Sequence, residues 1–252
     1  MKAIVLAAGK GTRLASEAAD LPKALRLAGG RTLISYVLEN IDFLRPEDIC
    51  IVTGFLGEKV RDALGPSYHY VEQTEQKGTA HAAKYARAVF GDSDGDIMVL
   101  YCDMPLLSRE TYRRMFYEHA EHGAANTLLA AHIRPIPAFG RLIRDAGGQL
   151  IRIVEDSACT PEQKLIDEVN VGIQVLNAQL MWKYLERVDN NNPKREYYLT
   201  GVIEPMARDR LKQHVVHTAR LEETWGVNTM EDLRMVEDEL CHMDDREAHR
   251  TR

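Results

Sequence analysis

At 252 residues and 45% hydrophobic content the chain can bury a full core, which excludes a disordered segment or a small stapled scaffold. A formal net charge of -6 argues against a general nucleic-acid binder, so any anion site must be local. Cys50, Cys102, Cys159 and Cys241 lie far apart with no CxxC pair, which points away from a zinc ribbon or a disulfide framework and towards a reducing compartment.

Lys2 to Ala7 reads as an apolar strand that runs into Leu6-Ala7-Ala8-Gly9-Lys10-Gly11-Thr12-Arg13-Leu14. The strand is too short for a secretory leader, and no stretch reaches the length of a membrane span, so no membrane partner and a cytoplasmic setting are expected. Gly9 and Gly11 open torsions closed to other residues and let backbone amides approach an anion, while Lys10 and Arg13 add charge. The loop is neither a GxGxxG fingerprint, because Leu14 holds the last glycine position, nor a GxxxxGK[ST] loop. From this stretch alone, a flexible strand-to-helix turn stands as the alternative.

Ala15 to Asp20 is small and polar, and Pro22 interrupts any helix begun there, so Lys23 is presented from an irregular segment. The spacing then predicts a helix over Thr32 to Phe43, a strand over Ile49 to Thr53, a helix over Gly57 to Leu64 and a strand over Tyr68 to Glu72. An Ala-rich helix over Gly78 to Phe90 and an apolar strand over Ile97 to Tyr101 follow, the latter stopped by Cys102-Asp103-Met104-Pro105. Ser108 caps a helix to Gly123, and Asn126 to Ile133 is a strand. This alternation implies an α/β fold with a mostly parallel, Rossmann-like sheet flanked by helices. Phe139 to Arg144, Ile151 to Glu155 and Glu168 to Leu176 read as short strands of a small β-rich insertion, with a helical turn over Thr160 to Leu165. Asn177 to Leu185 and Tyr198 to Arg208 are predicted helical, His214 to Thr218 a strand, and a helix starts at Thr229 before a charged tail, Asp244 to Arg252, expected to fray. The division expected is a catalytic domain over 1–229 and a C-terminal helix and tail over 230–252.

Ligands of such sheets sit beyond the carboxyl ends of the strands, where Ala8 to Arg13, Gln73 to His81 and Asp103 all fall. Asp103 could serve a divalent ion bridging phosphates, since magnesium takes one or two carboxylates and completes its shell with phosphate and water, or it could end the strand as a turn or cap residue. Asn228 has the same two readings, metal ligand or N-cap of the last helix. Gln76 offers paired donor and acceptor groups to a base edge, with Gly78 and Ala80 leaving room beside it; ordinary helix initiation is the rival. Glu155, Asn170 and Gly172, near Gly140, could hold sugar hydroxyls, or simply face solvent. His119 and His122 share a helix at i, i+3, but no third ligand is placed by the sequence, so a solvated face is expected for both. No GxSxG elbow supports a Ser-His-Asp site, and Tyr197 and Tyr198 read as core or pocket wall.

Taken in order, these stretches resemble the sugar-nucleotide pyrophosphorylases, and most closely the uridylyltransferase domain of bacterial N-acetylglucosamine-1-phosphate uridylyltransferase. Leu6 to Arg13 with Pro22-Lys23 looks like the signature loop and phosphate-binding lysine, Gln73 to Ala82 is similar to the base-recognition segment, and Tyr101 to Leu106 resembles the strand end bearing the metal aspartate. Gly140-Arg141, Ile153 to Glu155, Glu168 to Ile173, Asn192 with Glu196 to Thr200, and Gly226 to Asn228 complete a series spanning residues 2 to 240.

The resemblance implies attack of a sugar 1-phosphate on the α-phosphorus of a nucleoside triphosphate, by positioning and charge stabilisation without a covalent enzyme intermediate. Arg13 and Lys23 would be catalytic. Leu6, Ala7, Ala8, Gly9, Lys10, Gly11, Gln76, Gly78 and Thr79 would bind the nucleotide, and Gly140, Glu155, Asn170 and Thr200 the sugar. Asp103 and Asn228 would hold Mg2+. UTP and N-acetylglucosamine 1-phosphate are the small-molecule partners expected; other sugar phosphates with dTTP or CTP, or a non-catalytic nucleotide-sugar sensor, are the alternatives. Oligomeric state is not implied. The chain departs from the family pattern at Gly201, where Asp is usual, and at Ala80 and Cys102, where glycine is usual, so a carboxylate is lost near the sugar and a methyl gained near the base. No hexapeptide repeat is present, and acetyl transfer is not expected.

Overall fold

The computed structural model describes residues 1–14 and 20–250, the side chains of 244–250 excepted. The expected small polar stretch after the first loop therefore lies mostly outside the described residues, as does the end of the charged tail, Thr251 and Arg252. In chain order the elements are β1 (Lys2–Ala7), β2 (Leu27–Ala28), β3 (Arg31–Thr32), α1 (Leu33–Asn40), β4 (Ile49–Thr53), α2 (Gly57–Leu64), β5 (His69–Glu72), α3 (Thr79–Tyr85), α4 (Arg87–Phe90) and β6 (Asp96–Tyr101). There follow α5 (Arg109–His122), β7 (Asn126–His132), β8 (Arg141–Arg144), β9 (Leu150–Val154), β10 (Glu168–Asn177), α6 (Ala178–Leu185), α7 (Ile203–Arg208), β11 (Gln213–His217) and α8 (Met230–Arg250). No helix among the described residues is long and apolar enough to cross a membrane.

The main sheet runs β11-β7-β10-β6-β1-β4-β5, with β8 and β9 joined to it through β10. Its half β6-β1-β4-β5 is parallel throughout. Strands covered on both faces need apolar residues at successive positions, and β1 shows why. Ala3, Val5 and Ala7 face the core shared with α1 and α5, while Ile4, Leu6 and Ala8 face the core under α3 and α6. Helices start where side chains replace missing backbone partners: Thr32 Oγ1 accepts from Ser35 N at the head of α1, and Asn177 Oδ1 from Leu180 N at the head of α6. The β-rich region stands on β10, whose first residues pair β7 and β8 and whose second half, after a register shift between Asn170 and Gln174, lies antiparallel between β6 and β7. One strand thus belongs to both the main sheet and its extension.

Several sequence boundaries change. The predicted helix over Gly78 to Phe90 breaks at Ala86, whose amide is shared between Ala83 and Lys84 carbonyls. Thr160 to Leu165 supplies only a 3-10 turn at Gln163–Leu165, and Tyr198 to Arg208 splits into a 3-10 turn, Leu199–Val202, and the short α7. The backbone of α8 continues to Arg250 instead of ending near Asp244. Leu233 and Val236 seat that helix against Leu14, Leu33, Leu106 and Val227.

The turn before α8 is held by Glu223, which is 1% exposed. Its carboxylate accepts from Ser108 N (3.2 Å) and Thr218 Oγ1 (2.6 Å), and Thr111 Oγ1 lies 2.9 and 2.8 Å from its two oxygens. The charge sits against the N-terminus of α5, where the helix dipole favours it. Removing it strands several buried donors, so Glu223→Ala is expected to cost about 3 kcal/mol. Urea unfolding checks this, and a loss below roughly 1 kcal/mol, the worth of one ordinary hydrogen bond, would show that the carboxylate does not organise the turn.

Candidate active site

The strand order 5-4-1-6 reverses direction between β1 and β6, and the crevice beyond their carboxyl ends is where such sheets take ligands. The loop after β1 and the Cys102–Pro105 turn after β6 open there. Lys23, from the turn that Pro22 begins, reaches the same point: its ammonium ion-pairs Asp103 Oδ2 and donates to Asn228 Oδ1 at 3.0 Å. Arg13 Nη2 donates to the same Asn228 oxygen at 3.3 Å. Two cations, a carboxylate and an amide from four separate stretches of chain therefore meet around one point, with Lys23 12% and Asp103 19% exposed.

The capping alternatives for both oxygen donors fall away. Ser108 Oγ accepts from Thr111 N and caps α5, leaving the Asp103 side chain free of that duty. At α8 the cap is Thr229: its Oγ1 accepts from Asp232 N, and the Asp232 carboxylate accepts from Thr229 N and Asn228 N, both at 2.8 Å. Asn228 Oδ1 is thereby released toward Lys23 and Arg13, while its Nδ2 donates to Gly226 O at 3.2 Å. Val227 N donates to Asp103 O at 2.9 Å, which ties the two donor segments together through backbone.

A cavity of about 230 Å³ lies beside this point, lined by Leu6, Ala8, Gly9, Lys23, Gln73, Gln76, Gly78, Thr79, Tyr101, Cys102, Asp103 and others. Its floor is locked to a distant segment: Tyr197 N donates to Lys77 O (2.7 Å), Ala80 N to Tyr197 O (2.8 Å) and Leu199 N to Thr79 Oγ1 (2.8 Å). Gly78 has φ +104°, and a Cβ there would stand 2.5 Å from the Tyr197 carbonyl, so only glycine permits this approach. Gln76 is exposed, with Nε2 donating to Gln73 O at 3.2 Å. Burial pushes the Cys102 thiol up to about 12, so it behaves as an inert wall atom.

A second cavity, about 640 Å³, adjoins the first and shares Thr79, Tyr101 and Asp103 with it; Arg13, Gly140, Glu155, Asn170, Gly172, Tyr198, Thr200, Trp225, Asn228 and Asp232 are among its other lining residues. The β10 register shift opens backbone toward this space: Asn170 N donates to Gly140 O (2.8 Å), and Asn170 Oδ1 accepts from Gly172 N (3.1 Å). A Cβ at Gly172, φ +108°, would strike the Tyr101 ring at 2.9 Å. Thr200 Oγ1 donates to Glu155 Oε1 at 3.4 Å, and burial holds the Glu155 carboxyl above the usual carboxylate range, a shift that the Thr200 bond and the charge of Lys194 only partly oppose.

The two cavities thus gather Leu6, Ala8, Gly9, Gln76, Gly78 and Thr79 on one side and Gly140, Glu155, Asn170 and Thr200 on the other, with Arg13, Lys23, Asp103 and Asn228 at or near their junction. Ala7 is buried on the opposite face of β1; Lys10 and Gly11 do not line either cavity, and Lys10 is exposed. Ala80 is fully buried in the core under α3, so its methyl faces packing rather than a base. His119 is 2% exposed and lies 2.9 Å from Thr127 Oγ1, the reverse of the solvated face expected from its polarity. Reasoning from sequence placed Gln73 in a ligand-end stretch but gave it no role of its own, and missed Gly54: Gln73 is buried on the smaller cavity with Nε2 donating to Gly78 O at 3.2 Å, and a Cβ at Gly54 would stand 2.7 Å from the Ala8 carbonyl. Their only sequence signals are an amide three residues before Gln76 and a glycine just after β4.

A model of the MobA-like NTP transferase domain matches residues 3–160. The bifunctional protein GlmU of Solibacter usitatus is 41% identical over 239 residues, covering 93% of this chain and 50% of that protein. GlmU of Desulfotalea psychrophila is 35% identical over 246 residues, covering 97% of this chain and 72% of that protein. The chain spans about half the length of most curated relatives it matches. A solved UDP-glucose pyrophosphorylase complexed with UDP-glucose shares the fold with a TM-score of 0.76 at 15% identity, over 96% of this chain and 98% of that one.

Proposed function

Because the chain belongs to the MobA-like NTP transferase family, and is therefore a nucleotidyltransferase, we propose that it joins UTP to N-acetylglucosamine 1-phosphate, giving UDP-N-acetylglucosamine and pyrophosphate. The observation that carries this reading is the convergence of Lys23, Arg13, Asp103 and Asn228 where the two cavities meet. A nucleotide in the smaller cavity and a sugar phosphate in the larger would bring their phosphates together there. The relatives named GlmU support the choice of substrates, and Glu155, Asn170 and Thr200 offer acceptors and donors suited to hydroxyl and acetamido groups.

In the step proposed, an oxygen of the sugar phosphate attacks the α-phosphorus in line. A new O–P bond forms as the bond from that phosphorus to the α,β-bridging oxygen breaks, and the electron pair leaves with pyrophosphate. Arg13 and Lys23 neutralise phosphate charge, and backbone at Ala8 and Gly9 closes on the nucleotide. Asp103 and Asn228 suit a magnesium ion: both present oxygen to the Lys23 ammonium, which stands in for a bound cation, and the set is the hard, sparse one magnesium accepts. When bound, the ion would supply charge stabilisation to the phosphates.

A panel of nucleoside triphosphates against sugar 1-phosphates, read by pyrophosphate release, tests the substrates. UTP with N-acetylglucosamine 1-phosphate should give the highest kcat/KM, and finding it among the poorest pairs would overturn the assignment. Asp103→Ala should lower kcat/KM by roughly 10³-fold or more with the circular dichroism spectrum unchanged, about the loss expected when a charge-stabilising group is removed. Near-wild-type rates in that variant would remove Asp103 from the site.

Glu155 adds a pH test. Its raised carboxyl takes up a proton at higher pH than an ordinary glutamate, so the acceptor form is complete only above that range and is lost as pH falls through it. The KM for the sugar phosphate should therefore climb on acidification more steeply in wild type than in Glu155→Gln. Identical profiles would show that this carboxylate does not bind the sugar.

A further inference from the structure

We propose that Glu118, His122 and His214 form a binding site for one divalent transition-metal ion of the zinc type, remote from the two cavities. Glu118 and His122 stand one turn apart on α5, so both project from one helix face. Edge strand β11, parallel to β7, carries His214 up to them. One ligand atom from each of the three lies within 4.8 Å of the others. His214 Nε2 is 2.7 Å from Glu118 Oε2, and the His122 and His214 rings stack with centroids 4.0 Å apart. A tetrahedral zinc with bonds of about 2.0–2.1 Å holds its donors roughly 3.3 Å apart, which small side-chain rotations reach here.

Two imidazoles and one carboxylate form a donor set suited to zinc and its neighbours, and water would complete the shell. The surroundings favour it. His214 and Glu118 are 22% and 27% exposed, open enough for an ion to enter and covered enough to limit their rotamers. Arg114 lies 3.5 Å from the other Glu118 oxygen and donates through Nη2 to the His217 carbonyl, so it steadies the carboxylate from behind without covering the oxygen that faces His214. Along the sheet the cluster lies toward the amino ends of the parallel strands, opposite the Lys23 and Asp103 crevice, and none of its members lines either cavity. The ion would pin the end of α5 to the edge strand.

A second set of similar composition, His132, Glu168 and His217, is a weaker candidate. Both Glu168 oxygens are taken by Arg144, and His132 lies 3.1 Å from Asp167, so a metal there would have to displace an existing cation.

Zinc titrated calorimetrically into the full chain, with saturating magnesium present, tests the proposal. Wild type should bind one zinc with micromolar affinity and melt at higher temperature in its presence. The His122→Gln/His214→Gln variant should bind at least 30-fold more weakly with pyrophosphate release unchanged, while His132→Gln/His217→Gln should bind as wild type does. If the first variant fails to fold, as judged by circular dichroism, Glu118→Gln provides the same reading. No zinc uptake by wild type, equal uptake by the first variant, or uptake lost only in the second would each overturn the site.

Discussion

The ammonium of Lys23 is the point through which distant parts of the chain are brought to one place. It bonds Asp103, 80 residues away at the end of β6, and Asn228, 205 residues away just before α8, so it joins the parallel sheet to the segment that leads into the last helix. A partly buried lysine is costly without a counter-charge, and here Asp103 supplies it from the end of β6. The same contact prepares the site electrostatically. The chain carries a net charge of -6, yet at the crevice Lys23 and Arg13 share one amide oxygen, a local excess of positive charge aimed where phosphates would lie.

Asn228 is available for that contact because capping is done by others. Thr229 and Asp232 satisfy the first amides of α8, and Ser108 does so for α5, so neither Asn228 nor Asp103 is spent on a helix end. Behind them Glu223 links the head of α5, the end of β11 and the turn leading to Trp225 through hydroxyl and amide donors. Polar groups with complete partner sets hold one geometry, since any displacement leaves a buried donor unmet. The oxygen donors of the crevice therefore rest on a rigid polar support.

Sequence alone revealed the parts of this arrangement that are local. Strands β1, β4 and β6 appear as apolar runs because both faces of each are covered, and the loop after β1 declares itself by two glycines and two cations. The two readings of Asp103 and Asn228 could not be separated locally, because the decision lies with which neighbour takes the cap. The individual roles of Glu223, Gln73 and Gly54 were illegible for a related reason: they come from Thr218, His81 and Ala8, none adjacent in sequence. Periodicity also failed where tertiary contacts interrupt it, as at Ala86, and polarity misled at His119, whose burial is offset by its contact with Thr127.

The wall around Glu155 shows how a single residue change can require another. At Gly201, where the resemblance noted from the sequence implies Asp, a Cβ would stand 2.9 Å from Val188 Cγ1, so the buried valine occupies space that any side chain at 201 would need. The two positions are coupled: restoring a carboxylate at 201 means moving or shrinking Val188 as well. With no side chain there, Glu155 carries the negative charge on this part of the larger cavity, next to Thr200 and Tyr198, in surroundings that disfavour its ionised form. A buried acceptor of this kind gains most from a ligand that donates to it and loses most when that donor is missing, so on the proposed function discrimination among sugars should depend on the hydroxyl or amide that meets Glu155 more than on the size of the cavity.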